Sequence, residues 1–142
     1  MYSGYLALKI KERSKSIADN ADITEKVMST WSNGEPKEVR VLEPGEPGEE
    51  VQKFHANGRL HVRGRLVNGQ KQGTWNTYRE DGLPWSQVDH VDGIKQGLFR
   101  TWHTSGRPHI EGQHHQGDPV GSWDFFSSDG TWIESKEFGP EN

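Results

Sequence analysis

Glycine recurs along this 142-residue chain with a period of 24. Gly34, Gly58, Gly82, Gly106 and Gly130 share one phase, and Gly45, Gly69, Gly93 and Gly117 a second. Gly73, Gly97 and Gly121 share a third, while Gly64 and Gly112 stand two periods apart in a fourth, so fourteen of the seventeen glycines are in register. Aromatic residues keep the same spacing: Trp75, Phe99 and Trp123 form one series, and Phe54, Tyr78, Trp102 and Phe126 another. Self-similarity at a fixed period of about 20 to 50 residues marks a repeat array, in which each unit is one supersecondary element stacked on the next.

Each unit carries two turn signals. Asn57-Gly58, Asp81-Gly82, Ser105-Gly106 and Asp129-Gly130 are dipeptides that tolerate positive φ, and they predict tight hairpin turns. Residues 68–73, 92–97 and 116–121 then predict a looser link to the next hairpin. Between the turns, Trp75-Asn76-Thr77-Tyr78 and its equivalents carry the aromatic and β-branched residues that suit strands. Leu60, Val62, Gly64 and Leu66 alternate with His61, Arg63 and Arg65, as a half-buried strand does. The expected fold is all-β, an elongated antiparallel sheet of repeated β-hairpins that advances about 9 to 10 Å per repeat, or roughly 45 Å in all.

That architecture accounts for an otherwise unpromising composition. Only 30% of the residues are hydrophobic, and the mean hydropathy is −0.97. A sheet of hairpins encloses little volume, and aromatic rings, each covering about 150 to 250 Å², supply the cover that a second layer would.

The repeat domain is expected over residues 27–142, with 27–50 a degenerate first repeat. There Glu49 stands in the third glycine phase, Thr30 replaces the aromatic residue, Trp31 comes one place late, and residues 43–50 form a stiff acidic turn. Terminal repeats are commonly atypical because they cap the array. Residues 1–26 form an N-terminal arm or cap. Tyr2, Leu6, Ile10 and Ile17 fit an amphipathic helix, and Leu6, Leu8 and Ile10 fit a strand; either would cover an open sheet edge.

Charge and chemistry narrow the function. A net charge of −4 speaks against nucleic acid, whose phosphates call for a basic surface. Without cysteine there is no disulfide scaffold, thiolate metal site or cysteine nucleophile. No apolar run approaches membrane-spanning length, and a cytoplasmic location is expected. Of seven histidines, His90 and His114 are repeat equivalents, hence roughly 9 to 10 Å apart, and His114 and His115 point to opposite faces, so no metal or other cofactor is expected. His103 with Asp124 and His109 with Glu111 read as surface pairs, and no catalytic residue is assigned.

Two groups of residues are candidates for binding. Trp75, Tyr78, Trp85, Phe99, Trp102, Trp123, Phe126 and Trp132 form the candidate aromatic face, which a thin sheet cannot bury completely. Arg59, Arg63, Arg65, Lys71 and Arg79 form a candidate basic patch for an acidic partner or a phospholipid headgroup.

The series Asn57-Gly58-Arg59-Leu60, Gly64, Asn68-Gly69, Gly73-Thr74-Trp75, Tyr78 and Asp81-Gly82, reiterated to Gly130, resembles the bacterial variant of the MORN repeat, of the type found in proteins labelled as antitoxins. The resemblance covers residues 50–138 well and 27–49 poorly. Pro84 and Pro108 depart from it in the place of Leu60, and Val88 departs from it in the phase of Gly64 and Gly112. It implies β-hairpin arrays that bind protein or lipid without catalysis. The expected function is therefore a non-enzymatic protein-binding module, in an antitoxin-like or inhibitory role. A peripheral adaptor for anionic lipid surfaces and a self-assembly element that dimerises through edge strands are the alternatives.

Overall fold

The computed structural model describes residues 22–139. They form one open antiparallel sheet of ten strands in which spatial order equals sequence order. The strands are β1 (Thr24–Thr30), β2 (Pro36–Leu42), β3 (Glu49–Phe54), β4 (Leu60–Val67), β5 (Gln70–Tyr78), β6 (Pro84–Val91), β7 (Ile94–Trp102), β8 (Pro108–His115), β9 (Asp118–Phe126) and β10 (Trp132–Phe138). At about 4.8 Å between neighbours the sheet extends roughly 43 Å across its strands. The sheet begins at Thr24, just ahead of the repeat boundary read at residue 27. The helix and strand readings of the N-terminal arm fall almost entirely on residues 1–21, outside the described residues.

The two kinds of turn exchange the roles expected of them. The tight two-residue links are Asn68-Gly69, Asp92-Gly93 and Gln116-Gly117. Both residues of each take positive φ, 53° and 78° in the first, which is the type I′ conformation that matches strand twist. The Asn57-Gly58 class sits in the longer link instead. There Gly58 N–H donates to the His55 carbonyl (2.9 Å) and His55 N–H to the Arg59 carbonyl (2.8 Å), while Asn57 Oδ1 accepts from Arg59 N–H (2.9 Å). The Asn side chain thus mimics a backbone turn, and only the glycine adopts positive φ. An Asx-Gly pair serves both geometries, so the dipeptide alone could not tell them apart.

Each of the three hairpins closed by a two-residue link is bent at the third glycine phase. Arg63 pairs with Asn76 and Arg65 with Gln72, so Gly64 alone opposes residues 73–75. The same irregularity recurs at Asp89 and at Gly112. The bulge throws the Trp75 ring onto Gly64 so closely that a Cβ there would lie 2.1 Å from it, and Trp123 lies on Gly112 in the same way. In the repeat between them Val88 faces Phe99: where the glycine gains a side chain, the ring shrinks. Pro84 and Pro108 open β6 and β8, the strand position that proline tolerates. The departures in the third and fourth repeats are thereby absorbed without loss of register.

Successive repeats are also stitched along one edge. Trp31, His55, Arg79 and His103 occupy one phase, and each donates a side-chain N–H to the carbonyl that ends the strand 23 residues on: Phe54 (3.0 Å), Tyr78 (2.8 Å), Trp102 (2.8 Å) and Phe126 (2.7 Å). Each also packs on the residue six places later. His55 stacks on His61 (4.2 Å) and His103 on His109 (4.0 Å), while Lys37 covers Trp31 and Arg79 covers Trp85. Trp31, one place late against the aromatic series, is therefore in register with this ladder.

The most deeply buried side chains lie in the degenerate first repeat and β3. Val39, Val41 and Phe54 form a cluster, with Ile23, Val27 and Leu60 packed against it. Beyond it, Trp75, Trp123, His90 and His114 are the buried rings, whereas Trp85 and Trp132 are 47% and 56% exposed.

Candidate binding groove

Alternation along the strands assigns Val51, Val62, Trp75, Thr77, Ser86 and Val88 to one face. On that face they line a single cavity of about 440 Å³ with Leu66, Arg40, Lys53, Lys71, Lys95 and His90. Arg40 on β2 and Lys95 on β7 would stand roughly 24 Å apart on a flat sheet. The cavity is therefore a groove that runs across six strands, from β2 to β7.

The floor is apolar and the rim cationic. Val51 and Trp75 are buried at 2% and 8% exposure. The Trp75 indole is fixed by donation to the Arg65 carbonyl (3.2 Å) and covered by Lys71, whose Nζ lies 4.9 Å from the ring. Lys95 repeats the arrangement over Phe99 at 5.7 Å. Arg40 is neutralised by Glu38 (2.7 Å) and Glu49 (2.5 Å), which hold its already high pKa higher still. Lys53, Lys71 and Lys95 have no carboxylate in salt-bridge reach among the described residues, and no acid lines the cavity. Burial, then Lys71, pushes the His90 pKa down. The three lysines therefore stand around an apolar floor.

The aromatic residues divide between roles. Trp75, Phe99 and Trp123 share a column on the groove side, but Trp75 alone of them lines the cavity. Tyr78, Trp102 and Phe126 end their strands, and their carbonyls anchor the inter-repeat ladder. Trp85 lies under Arg79 (4.9 Å), and Trp132 bonds Ser135 Oγ (3.2 Å) on the edge strand.

The basic series does not assemble into one patch. Arg59 bonds the Asp81 carbonyl and Arg79 the Trp102 carbonyl. Arg63 pairs with Glu50 (3.1 Å) and Arg65 with Glu43 (3.3 Å). Of the five, only Lys71 reaches the groove. Lys53 and Lys95 were missed in the sequence, although Lys71 and Lys95 share a phase and each precedes a ring of one aromatic series by four residues.

The histidine–carboxylate pairs do not form: His103 stacks on His109, and Asp124 accepts from Ser135. No group of three or more metal-ligating side chains occurs among the described residues, and none of their helices is long and apolar enough to cross a membrane.

Fold and groove together define an all-β hairpin-repeat protein with a cationic, apolar-floored groove on one face. No protein-family model, curated protein or solved structure matches the chain.

Proposed function

We propose that the chain is a non-enzymatic protein-binding module whose groove takes an acidic, partly apolar segment of another protein. The observation that carries this reading is the set of three lysines without carboxylate partners around a floor of Val51, Val62, Trp75 and Val88. A wholly polar ligand would leave the floor unused, and an uncharged apolar one would leave the ammonium groups unanswered. Lys71 and Lys95 sit two strands apart, about 10 Å, close to the roughly 9 Å turn of a polyproline II segment, in which every third side chain returns to the same face. The fitting segment therefore carries acids at every third residue with aliphatic residues between them. The likeness of the repeats to those of antitoxin-labelled proteins supports inhibition of the partner as the outcome.

A fluorescent peptide of repeated Glu-Val-Leu tests the reading by anisotropy. Binding is expected to weaken with added salt, to fall at least about tenfold in Lys71→Glu/Lys95→Glu, and to survive Arg100→Glu on the opposite face. Equal affinity for a Lys-Val-Leu peptide, or for the double variant, would sink it. Binding to anionic vesicles in preference to the peptide would move the function to the lipid surface.

A further inference from the structure

Among the described residues the sheet ends on β10. β4, β6 and β8 each pair on both sides, but β10, which holds the same place in its unit, pairs with β9 alone. All seven residues of β10 are exposed, Trp132 and Ile133 at 56% and Phe138 at 38%. A row of backbone donors and acceptors is thus left open beside apolar side chains, the arrangement that recruits another strand.

We propose that the strand recruited is β10 of a second copy, antiparallel, with Ser135 on the two-fold axis. This is independent of the groove. The sequence Trp132-Ile133-Glu134-Ser135-Lys136-Glu137-Phe138 is self-complementary in that register. Glu134 faces Lys136 of the second copy, and Lys136 faces its Glu134. The small Ser135 meets itself, and a bulge between Trp132 and Glu134 confines the regular ladder to residues 134–138. Ser135 Oγ is already turned to Asp124 of its own chain, which leaves the axis clear. Glu134 and Lys136 share one face, and directly opposed cross-strand side chains lie about 5 Å apart, within ion-pair reach. A slip of one residue in either direction removes both ion pairs. A slip of two sets Glu134 on Glu134 or Lys136 on Lys136. Charge therefore selects one register, and the two-fold axis closes the assembly at two copies.

Sedimentation velocity of the full chain over a wide concentration range is the test. A reversible monomer–dimer equilibrium is expected, weakened at least about tenfold in Glu134→Lys and in Lys136→Glu, because each variant opposes like charges. Mixing the two variants restores dimer, since lysine then faces glutamate at both pairs, and the double exchange Glu134→Lys/Lys136→Glu restores it within one chain. A wild-type chain that stays monomeric throughout would overturn the proposal. So would species that grow beyond dimer, the result of β10 pairing with β1 of the next copy, or a mixture that fails to recover.

Discussion

Gly64→Val is expected to cost about 3 kcal/mol, the upper end for overpacking a fitted interior, read as a lower denaturation midpoint at unchanged m-value. The backbone at Gly64 is not among the positive-φ positions, and valine favours strands, so the loss comes wholly from the ring. A Cβ would lie 2.1 Å from Trp75, and the ring is held from two sides by the Arg65 carbonyl and Lys71. Gly112→Val meets Trp123 in the same way. The chain contains its own remedy, because Val88 faces Phe99 in the intervening repeat. The double variant Gly64→Val/Trp75→Phe should recover most of the loss, leaving about 1 kcal/mol for the indole hydrogen bond. Two substitutions that merely add would show that the Val88–Phe99 pair is not the solution transplanted.

The period was legible because turn glycines and ring positions are dictated locally, by φ and by strand packing. The fold class, the strand order and the two-residue cycle of faces follow from it. What the period concealed is that neighbouring repeats are not alike. His55 with His61 and His103 with His109 stack, while Arg79 and Trp85 fill the same places between them. Gly64 and Gly112 flank Val88 in a like manner. Two unit types thus alternate, and the 48-residue spacing of Gly64 and Gly112 was its visible trace.

The groove was less legible, for two reasons. Basic residues close together in sequence invite reading as one patch, yet alternation and ion pairing scatter Arg59, Arg63, Arg65 and Arg79, and only Lys71 survives as a groove cation. The groove, moreover, spans six strands, and Lys53 and Lys95 reach it from separate hairpins that no single repeat holds together. The aliphatic core around Val39 and Val41 was hidden in the repeat with the poorest register.

Acidification from pH 7 to 5 is expected to lower the thermal midpoint by several degrees, well before carboxylates titrate. Four histidines have pKa values pushed below the usual 6.5, first by burial in every case. His61 also feels His55 and Lys53, and His109 feels His103. His90 faces Lys71 and Lys95, opposed by Asp89 and a backbone bond to Val88. His114 faces Lys95 and His90, opposed by Asp118, and packs edge-on against Trp123 (5.0 Å) and Phe99 (5.3 Å). Nδ1 of both His90 and His114 is buried without a hydrogen-bond partner among the described residues, so a proton there brings charge and no new contact. Because the folded pKa values lie below the unfolded one, the unfolded chain binds protons first as pH falls. The stability these groups contribute is full above about pH 6.5 and is lost downward through their folded pKa values. Asp129, held at about 2 by Ser127 and Thr131, loses its contribution in a separate window below about pH 4. His90→Gln/His114→Gln should flatten the profile between pH 7 and 5 and leave the lower limb in place, as followed by circular dichroism melts. An unchanged slope in that variant would assign the acid sensitivity to other groups.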